Sequence, residues 1–92
     1  MIQIDAPLFA AFARAAERRM GDFSTWDITN TAWAFSIAGI QRPKLMRSLG
    51  AAASLLIEQF QSDNLVKFLR AYEMAGGKDG SWAKAIVSKR VR

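Results

Sequence analysis

The sequence predicts an all-α fold, an α-solenoid of antiparallel helical hairpins, and three observations support this prediction. Apolar residues recur with helical spacing along almost all of the 92 residues. The sequence matches itself when it is shifted by 37 positions, so that Phe23 falls on Phe60 and Ala38-Gly39 falls on Ala75-Gly76. Glycine and proline residues separate the helical runs at corresponding points. A fixed period of this size is typical of repeat arrays, in which neighbouring units bury each other's apolar faces.

The first helix is predicted over residues 7–20. Leu8 and Phe12 belong to its apolar stripe, whereas Arg14 and Arg18 lie one turn apart on the outer face. Pro7 suits the first turn of a helix, where its missing N–H group costs nothing. We expect the helix to end before Gly21.

The second helix is predicted over residues 25–38. The segment from Ser24 to Asp27 has the form of a capping box, in which the two side chains satisfy free backbone N–H groups. Gly39 is suited to the left-handed residue that follows a helix. Apolar residues occupy two sides of this helix, which is typical of a helix packed between neighbours.

The third and fourth helices repeat this pattern. Pro43 opens the third helix, which we expect to reach residue 59, and Ser62 or Asp63 caps a fourth helix that ends near Ala75. We therefore expect a single helical-repeat domain over residues 1–92 with about two and a half repeats. The predicted units are repeat 1 at about 7–39, repeat 2 at about 43–76 and a partial third repeat at 79–92. We also expect the helical ends of this short array to be covered by further chain or by another subunit.

The composition excludes several classes of function. The chain contains neither cysteine nor histidine, which rules out disulfides and removes the commonest metal ligand and general base. No phosphate-binding glycine motif or paired-carboxylate motif is present, so we predict a protein that is not an enzyme and has no cofactor or metal. No apolar stretch reaches the roughly 18 residues that a membrane span requires. The net charge of +5 fits an ordinary solvated surface or attraction to a polyanion.

The segment 23–39, and above all its core Asn30-Thr31-Ala32-Trp33-Ala34-Phe35, resembles the second helix of octotricopeptide repeats. Related helical repeats occur in RAP-domain proteins of organelles. The resemblance implies hairpin repeats and a non-catalytic module that binds or associates with RNA in a mitochondrion or chloroplast. Some short members of related groups are ribosomal subunits, which implies an alternative: a structural or adaptor subunit of a large assembly such as the mitochondrial ribosome.

The second unit departs from the family pattern. Lys67 stands at the position of Asn30 in the first unit, and Arg70 stands at the position of Trp33. Trp26 also occupies a position at which the family often has glutamine. The second unit therefore keeps the apolar skeleton without the family's polar signature.

The candidate binding residues for RNA or a protein partner are basic residues and one tryptophan. Arg47 and Lys84 occupy equivalent positions on successive first helices, so they are the preferred candidates for a row that follows a phosphate backbone. The other candidates are Arg42, Lys44, Lys67, Arg70, Lys89, Arg90 and Trp26.

Three residues of the family-like segment are predicted to differ in role. Trp26 has the polar residue Asp63 as its repeat mate, which indicates an exposed position where it stacks on a base or anchors a protein, although contact with the preceding helix is an alternative. Trp33 is expected in the core between helices. Asn30 is expected to tie a loop or a neighbouring helix through its amide.

Overall fold

The computed structural model describes residues 6–77, and this part of the chain is helical without any strand. The all-α prediction is confirmed, whereas the predicted partial third repeat at 79–92 lies outside the described residues. Short 3₁₀ turns at Met20–Asp22 and Ile57–Gln59 follow the first and third helices. The α-helices in order are α1 (Ala6–Arg18), α2 (Thr25–Ala38), α3 (Pro43–Leu55) and α4 (Ser62–Met74).

The chain path recurs at the interval of the sequence repeat. Helix α3 and its 3₁₀ turn begin and end 37 residues after α1 and its own turn, and α4 begins 37 residues after α2. The backbone angles at the junctions agree closely: φ and ψ are −107° and 14° at Arg19 and −104° and 17° at Leu56. They are −77° and 132° at Phe23, and −73° and 135° at Phe60. The internal sequence match is therefore accompanied by a repeated backbone conformation.

Local sequence explains where α2 begins and ends. The Ser24 hydroxyl accepts a hydrogen bond from the Asp27 N–H at 3.2 Å, and the Asp27 carboxylate accepts one from the Ser24 N–H at 3.0 Å. The predicted capping box is confirmed. Gly39 follows the helix with φ of 71°, and Gly76 follows α4 with φ of 96°. Both glycines adopt the left-handed conformation that side chains with a Cβ atom disfavour.

Three predicted boundaries are wrong. Helix α1 ends at Arg18 and α3 ends at Leu55, because the chain tightens into a 3₁₀ turn in which the Leu56 N–H is shared by two carbonyls of α3. Helix α4 is capped by Gln61 without a side-chain hydrogen bond, and neither Ser62 nor Asp63 takes that role. Gln61 is the repeat mate of Ser24, so the N-cap residues of α2 and α4 occupy equivalent positions in the two units.

Helix α2 packs closely against α4, whereas α3 contacts α1 and α2 less extensively. By their positions in the repeat, α1 and α3 form one pair of equivalent helices, and α2 and α4 form the other. The Arg42 N–H, at the start of α3, donates a hydrogen bond to the Ala75 carbonyl at 3.2 Å. The ends of α2 and α4 therefore meet at the start of α3. Since α2 and α4 also pack closely, they run in the same direction. Helix α3 returns from their ends, with Gly50 beside the Tyr72 ring.

Aromatic rings connect the helix pairs through the core. The Phe9 ring of α1 meets the Phe35 ring of α2 edge-on with centroids 5.1 Å apart, and the Phe12 ring lies 6.0 Å from the same ring. On α4, Phe68 lies between Phe60 and Tyr72 at centroid distances of 6.1 and 5.5 Å. Full burial of a ring such as Phe35 or Phe68 contributes about 1.5–3 kcal/mol. The other fully buried large apolar side chains are Ile28, Leu45, Met46, Leu49 and Leu65.

Within residues 6–77, no helix combines the length and the apolar character that crossing a membrane requires.

Candidate functional site

Helices α1 and α3 present cationic side chains on the surface that faces away from the core. Arg14 and Arg18 on α1 are exposed, as are Lys44 and Arg47 on α3. These four residues are called the basic face below. The two helices contain a single acidic residue, Glu17. This surface therefore carries a strong excess of positive charge.

Contacts within the basic face distinguish its cations. The Lys44 ammonium lies 3.9 Å from the Glu17 carboxylate, and its side chain is 79% exposed, so the pair contributes little to stability. Arg42 precedes α3, is half-buried and donates a hydrogen bond from Nη2 to the Ala10 carbonyl at 3.4 Å. Arg42 therefore fastens the start of α3 to α1, whereas the cations of the basic face point outward.

Helices α2 and α4 present a different surface, called the tryptophan face. Along α2 it consists of residues spaced four, three and four apart, and all of them are exposed: Trp26, Asn30, Trp33 and Ile37. Their repeat mates on α4 complete it: Asp63, Lys67, Arg70 and Met74. Residues with this spacing lie on one side of a helix. On α2 that side is opposite Phe35, which packs against α1.

The tryptophan face contains one contact between its two helices. The Lys67 ammonium lies 5.1 Å from the centroid of the Trp33 ring, a cation–π arrangement that draws the lysine toward α2. Arg70 lies one turn further along α4 and is exposed. Trp26 is 64% exposed, whereas Trp33 is 37% exposed beneath the lysine. Trp26 is therefore the more accessible ring.

The structure divides the predicted binding residues between the two pairs of helices. Trp26, Lys67 and Arg70 lie together on the tryptophan face. Arg42, Lys44 and Arg47 lie with α1 and α3. The remaining candidates, Lys84, Lys89 and Arg90, fall outside the described residues, so the predicted pairing of Arg47 with Lys84 stays a prediction.

Two predictions for α2 are wrong and one is confirmed. Trp33 is not in the core, and Asn30 is exposed and ties no neighbouring helix. The physical reason is that the buried residues of α2, such as Ile28 and Phe35, share one side of the helix, whereas Asn30 and Trp33 lie on the opposite side. Trp26 is exposed as its polar repeat mate predicts.

An apolar groove near the basic face was not predicted from the sequence. It has a volume of about 360 Å³ and lies between the 3₁₀ turn after α1 and the outer side of α3. Its rim includes Leu55, which is 86% exposed. The sequence signal is weak because Leu55 is the repeat mate of Arg18 and breaks the pattern. The groove is lined by Met20, Gly21, Phe23, Ser48, Ala51, Ala52, Leu55 and Leu56.

The described residues contain no group of three or more acidic residues that are close enough together to hold a metal ion. Comparison with protein-family models, with curated proteins and with solved structures finds no match to this chain. The octotricopeptide resemblance therefore stays a prediction, and the two faces carry the functional argument.

Proposed function

We propose that this chain is a non-catalytic, RNA-associated helical-repeat module whose basic face contacts the phosphate backbone. One observation carries the proposal: Arg14, Arg18, Lys44 and Arg47 are all exposed on α1 and α3, Arg14 and Lys44 line the same groove, and Glu17 is the only acid of the two helices. Cations on one surface release counterions from the nucleic acid as each meets a phosphate. Such contacts position a strand without reading its sequence.

The same proposal includes the α-solenoid architecture. Two features support it: the element boundaries recur after 37 residues, and the equivalent helices α2 and α4 run parallel and in contact. In a solenoid, equivalent helices line a common surface. The resemblance of segment 23–39 to octotricopeptide repeats adds RNA as the polyanion and an organelle, mitochondrion or chloroplast, as the location.

The test measures binding of a labelled single-stranded uridine RNA of about 20 nucleotides by fluorescence anisotropy, with the chain titrated up to about 1 µM at several salt concentrations from low salt upward. Affinity should fall steeply with salt, with a slope of about −0.7 per phosphate contact. Arg47→Glu should weaken binding and reduce the slope by about one contact. The matched control is Arg70→Glu, which changes the net charge equally on the tryptophan face and should have a much smaller effect. Absence of binding at low salt, or equal losses for both variants, would refute the proposal.

A structural or adaptor subunit in a large ribonucleoprotein, such as a mitochondrial ribosome, is the second candidate. Its supporting observation is at the first helix, where Leu8 and Phe12 are 63% and 42% exposed. Their repeat mates Leu45 and Leu49 are fully buried. An open apolar end of this kind fits coverage by a neighbouring subunit.

The adaptor function predicts that Leu8→Gln releases the chain from its native particle while the isolated chain keeps its melting temperature. Co-sedimentation of a tagged chain with the particle measures the first effect, and circular dichroism measures the second. Retention of the variant in the particle would count against an adaptor contact at this end.

A further inference from the structure

We infer that the tryptophan face is the contact surface between two copies of this chain, related by a two-fold axis that lies across α2 and α4. This inference goes beyond the proposed RNA association and does not depend on it. It rests on the chemistry of the residues that α2 and α4 contribute to the tryptophan face, and on the equivalence of these residues in the repeat.

The composition of the tryptophan face fits a protein contact better than a polyanion. Trp26, Ile37 and Met74 are each more than half exposed, and Trp33 lies between them. Exposed tryptophan and methionine with few charges are typical of the centre of a protein interface. The charged members of this face are Asp63, Lys67 and Arg70, so its net charge is small. The basic face, by contrast, would repel a copy of itself.

The repeat makes the tryptophan face complementary to itself. Trp26 and Asp63 occupy equivalent positions on α2 and α4, and Trp33 and Arg70 occupy the equivalent positions two turns later. A two-fold axis in the plane of the face, perpendicular to the helices, reverses their direction and brings each helix against its own copy. We place the axis midway between the level of Trp26 and Asp63 and the level of Trp33 and Arg70. The rotation then brings the first two residues of one copy against the last two of the other copy.

The same rotation gives the residues of both helices a favourable partner. Trp26 of each copy meets Trp33 of the other copy, which buries aromatic surface on aromatic surface. Asp63 of each copy then meets Arg70 of the other copy, which pairs opposite charges. Within one chain these two residues are seven apart on a helix, about 10.5 Å along its axis, which is too far for them to pair with each other. A two-fold interface requires this kind of self-complementarity.

Lys67 is the residue nearest the axis on α4, where two like charges would oppose the contact. Its ammonium instead lies 5.1 Å from the centroid of the Trp33 ring of its own chain. Trp33 lies about one helical turn along α2 from the level of the axis, so the cation–π contact holds each ammonium near its own Trp33 instead of directly opposite the ammonium of the other copy. The observed conformation therefore reduces the repulsion between the two Lys67 side chains.

Single-stranded RNA is the competing occupant, because exposed aromatic rings beside cations stack bases. Asp63 lies on the tryptophan face and would repel a phosphate, and the larger excess of cations lies on the basic face. Both observations favour a second copy of the chain on the tryptophan face.

Sedimentation equilibrium of the full 92-residue chain, from about 1 to 300 µM, tests the inference over the range of modest interfaces. A monomer–dimer equilibrium is expected. Trp26→Ala should weaken it at least about tenfold, as for a central interface tryptophan. Arg70→Asp should weaken it similarly, because it places two acids opposite each other. The double variant Asp63→Arg/Arg70→Asp should restore the dimer, since it exchanges the charges and keeps the pairing.

The matched control is Arg47→Asp, which changes the same charge on the basic face and should leave the dimer unchanged. Circular dichroism checks that every variant keeps its helical content. A chain that stays monomeric at the highest concentration, or a double variant that fails to restore the dimer, would overturn the inference. A monomer whose affinity for the uridine RNA falls on Trp26→Ala would overturn it in favour of RNA on this face. Loss of RNA binding by Arg47→Glu reports separately on the proposed function.

Discussion

The two 37-residue units of this molecule share a backbone but differ in what surrounds their side chains. Their helices begin at equivalent residues, and their turns have the same dihedral angles within a few degrees. Leu8 of the first unit is nevertheless 63% exposed, whereas its mate Leu45 is fully buried. Neighbouring units, not local sequence alone, therefore decide which apolar residues belong to the core.

The same comparison holds for the start of the second helix of each unit. Ser24 and Asp27 close a capping box around α2. The equivalent residues of the second unit are Gln61 and Asn64, and Gln61 makes no capping hydrogen bond. The backbone path is retained although the box is absent. The Asn64 N–H donates instead to Asp63 Oδ1 at 2.8 Å, and the buried residues Phe60 and Leu65 flank the start of the helix.

Truncation of equivalent leucines should give the largest difference between the units. Leu45→Ala removes a fully buried side chain and leaves a cavity, so it should lower the free energy of unfolding by about 2–5 kcal/mol. Leu8→Ala removes a side chain that is already mostly in water and should cost less than about 1 kcal/mol. Urea unfolding followed by circular dichroism measures both values.

A chain of this size has a small free energy of unfolding, and a loss of about 2–5 kcal/mol at Leu45 is enough to unfold it. Leu45→Met is the milder variant, with an expected cost below about 1.5 kcal/mol because volume is nearly conserved. Equal costs at Leu8 and Leu45 would mean that the first helix is covered in solution, and the contrast between the units would be lost.

The sequence was sufficient to predict the four described helices, the capping box and the left-handed Gly39. These features depend on residues within one or two turns of each other, such as Ser24 with Asp27. Helix ends were predicted two to four residues too far where a 3₁₀ turn replaces the last α-helical turn, as after Leu55. Propensity does not distinguish these two kinds of turn.

The sidedness of α2 could not be predicted in the same way. Trp33 and Ile37 are apolar, so the pattern indicated a helix buried on two sides, whereas its neighbours cover only one. The available signal was the repeat mate, since Lys67 and Arg70 mark the same stripe of α4 as solvent-exposed. Comparison of equivalent positions therefore identifies surfaces that the hydrophobic pattern of a single helix obscures.

The two faces assign different roles to the two pairs of helices. The pair α1 and α3 carries the excess positive charge, whereas the pair α2 and α4 carries the exposed tryptophans. Pairing through the tryptophan face would leave a basic face on the outer side of each copy. Two sets of phosphate contacts on one RNA would then strengthen binding through effective concentration, without any new contact.

The smallest effect should come from the helix caps, where the difference between the units is local. Ser24→Ala removes one half of the capping box and should cost about 1 kcal/mol in the free energy of unfolding. Gln61→Ala removes no side-chain capping bond and should change the free energy of unfolding by less than about 0.5 kcal/mol. The double variant Gln61→Ser/Asn64→Asp introduces the first unit's box into the second unit and should add at most about 1 kcal/mol, because the N–H of residue 64 already donates to Asp63 Oδ1.

The urea midpoint of each variant measures these changes, with an unchanged m-value as the sign that the unfolded state is unaffected. A gain from the double variant would show that the two turns are interchangeable, because the extended backbone of Gln61, with φ of −79° and ψ of 151°, matches that of Ser24 at −80° and 172°. No gain, with the cost at Ser24 intact, would instead mean that the N–H of residue 64 keeps Asp63 Oδ1 as its acceptor, or that the difference in ψ moves the introduced hydroxyl out of its reach. The equivalence of the two units would then hold for the chain path but not at the precision of a hydrogen bond.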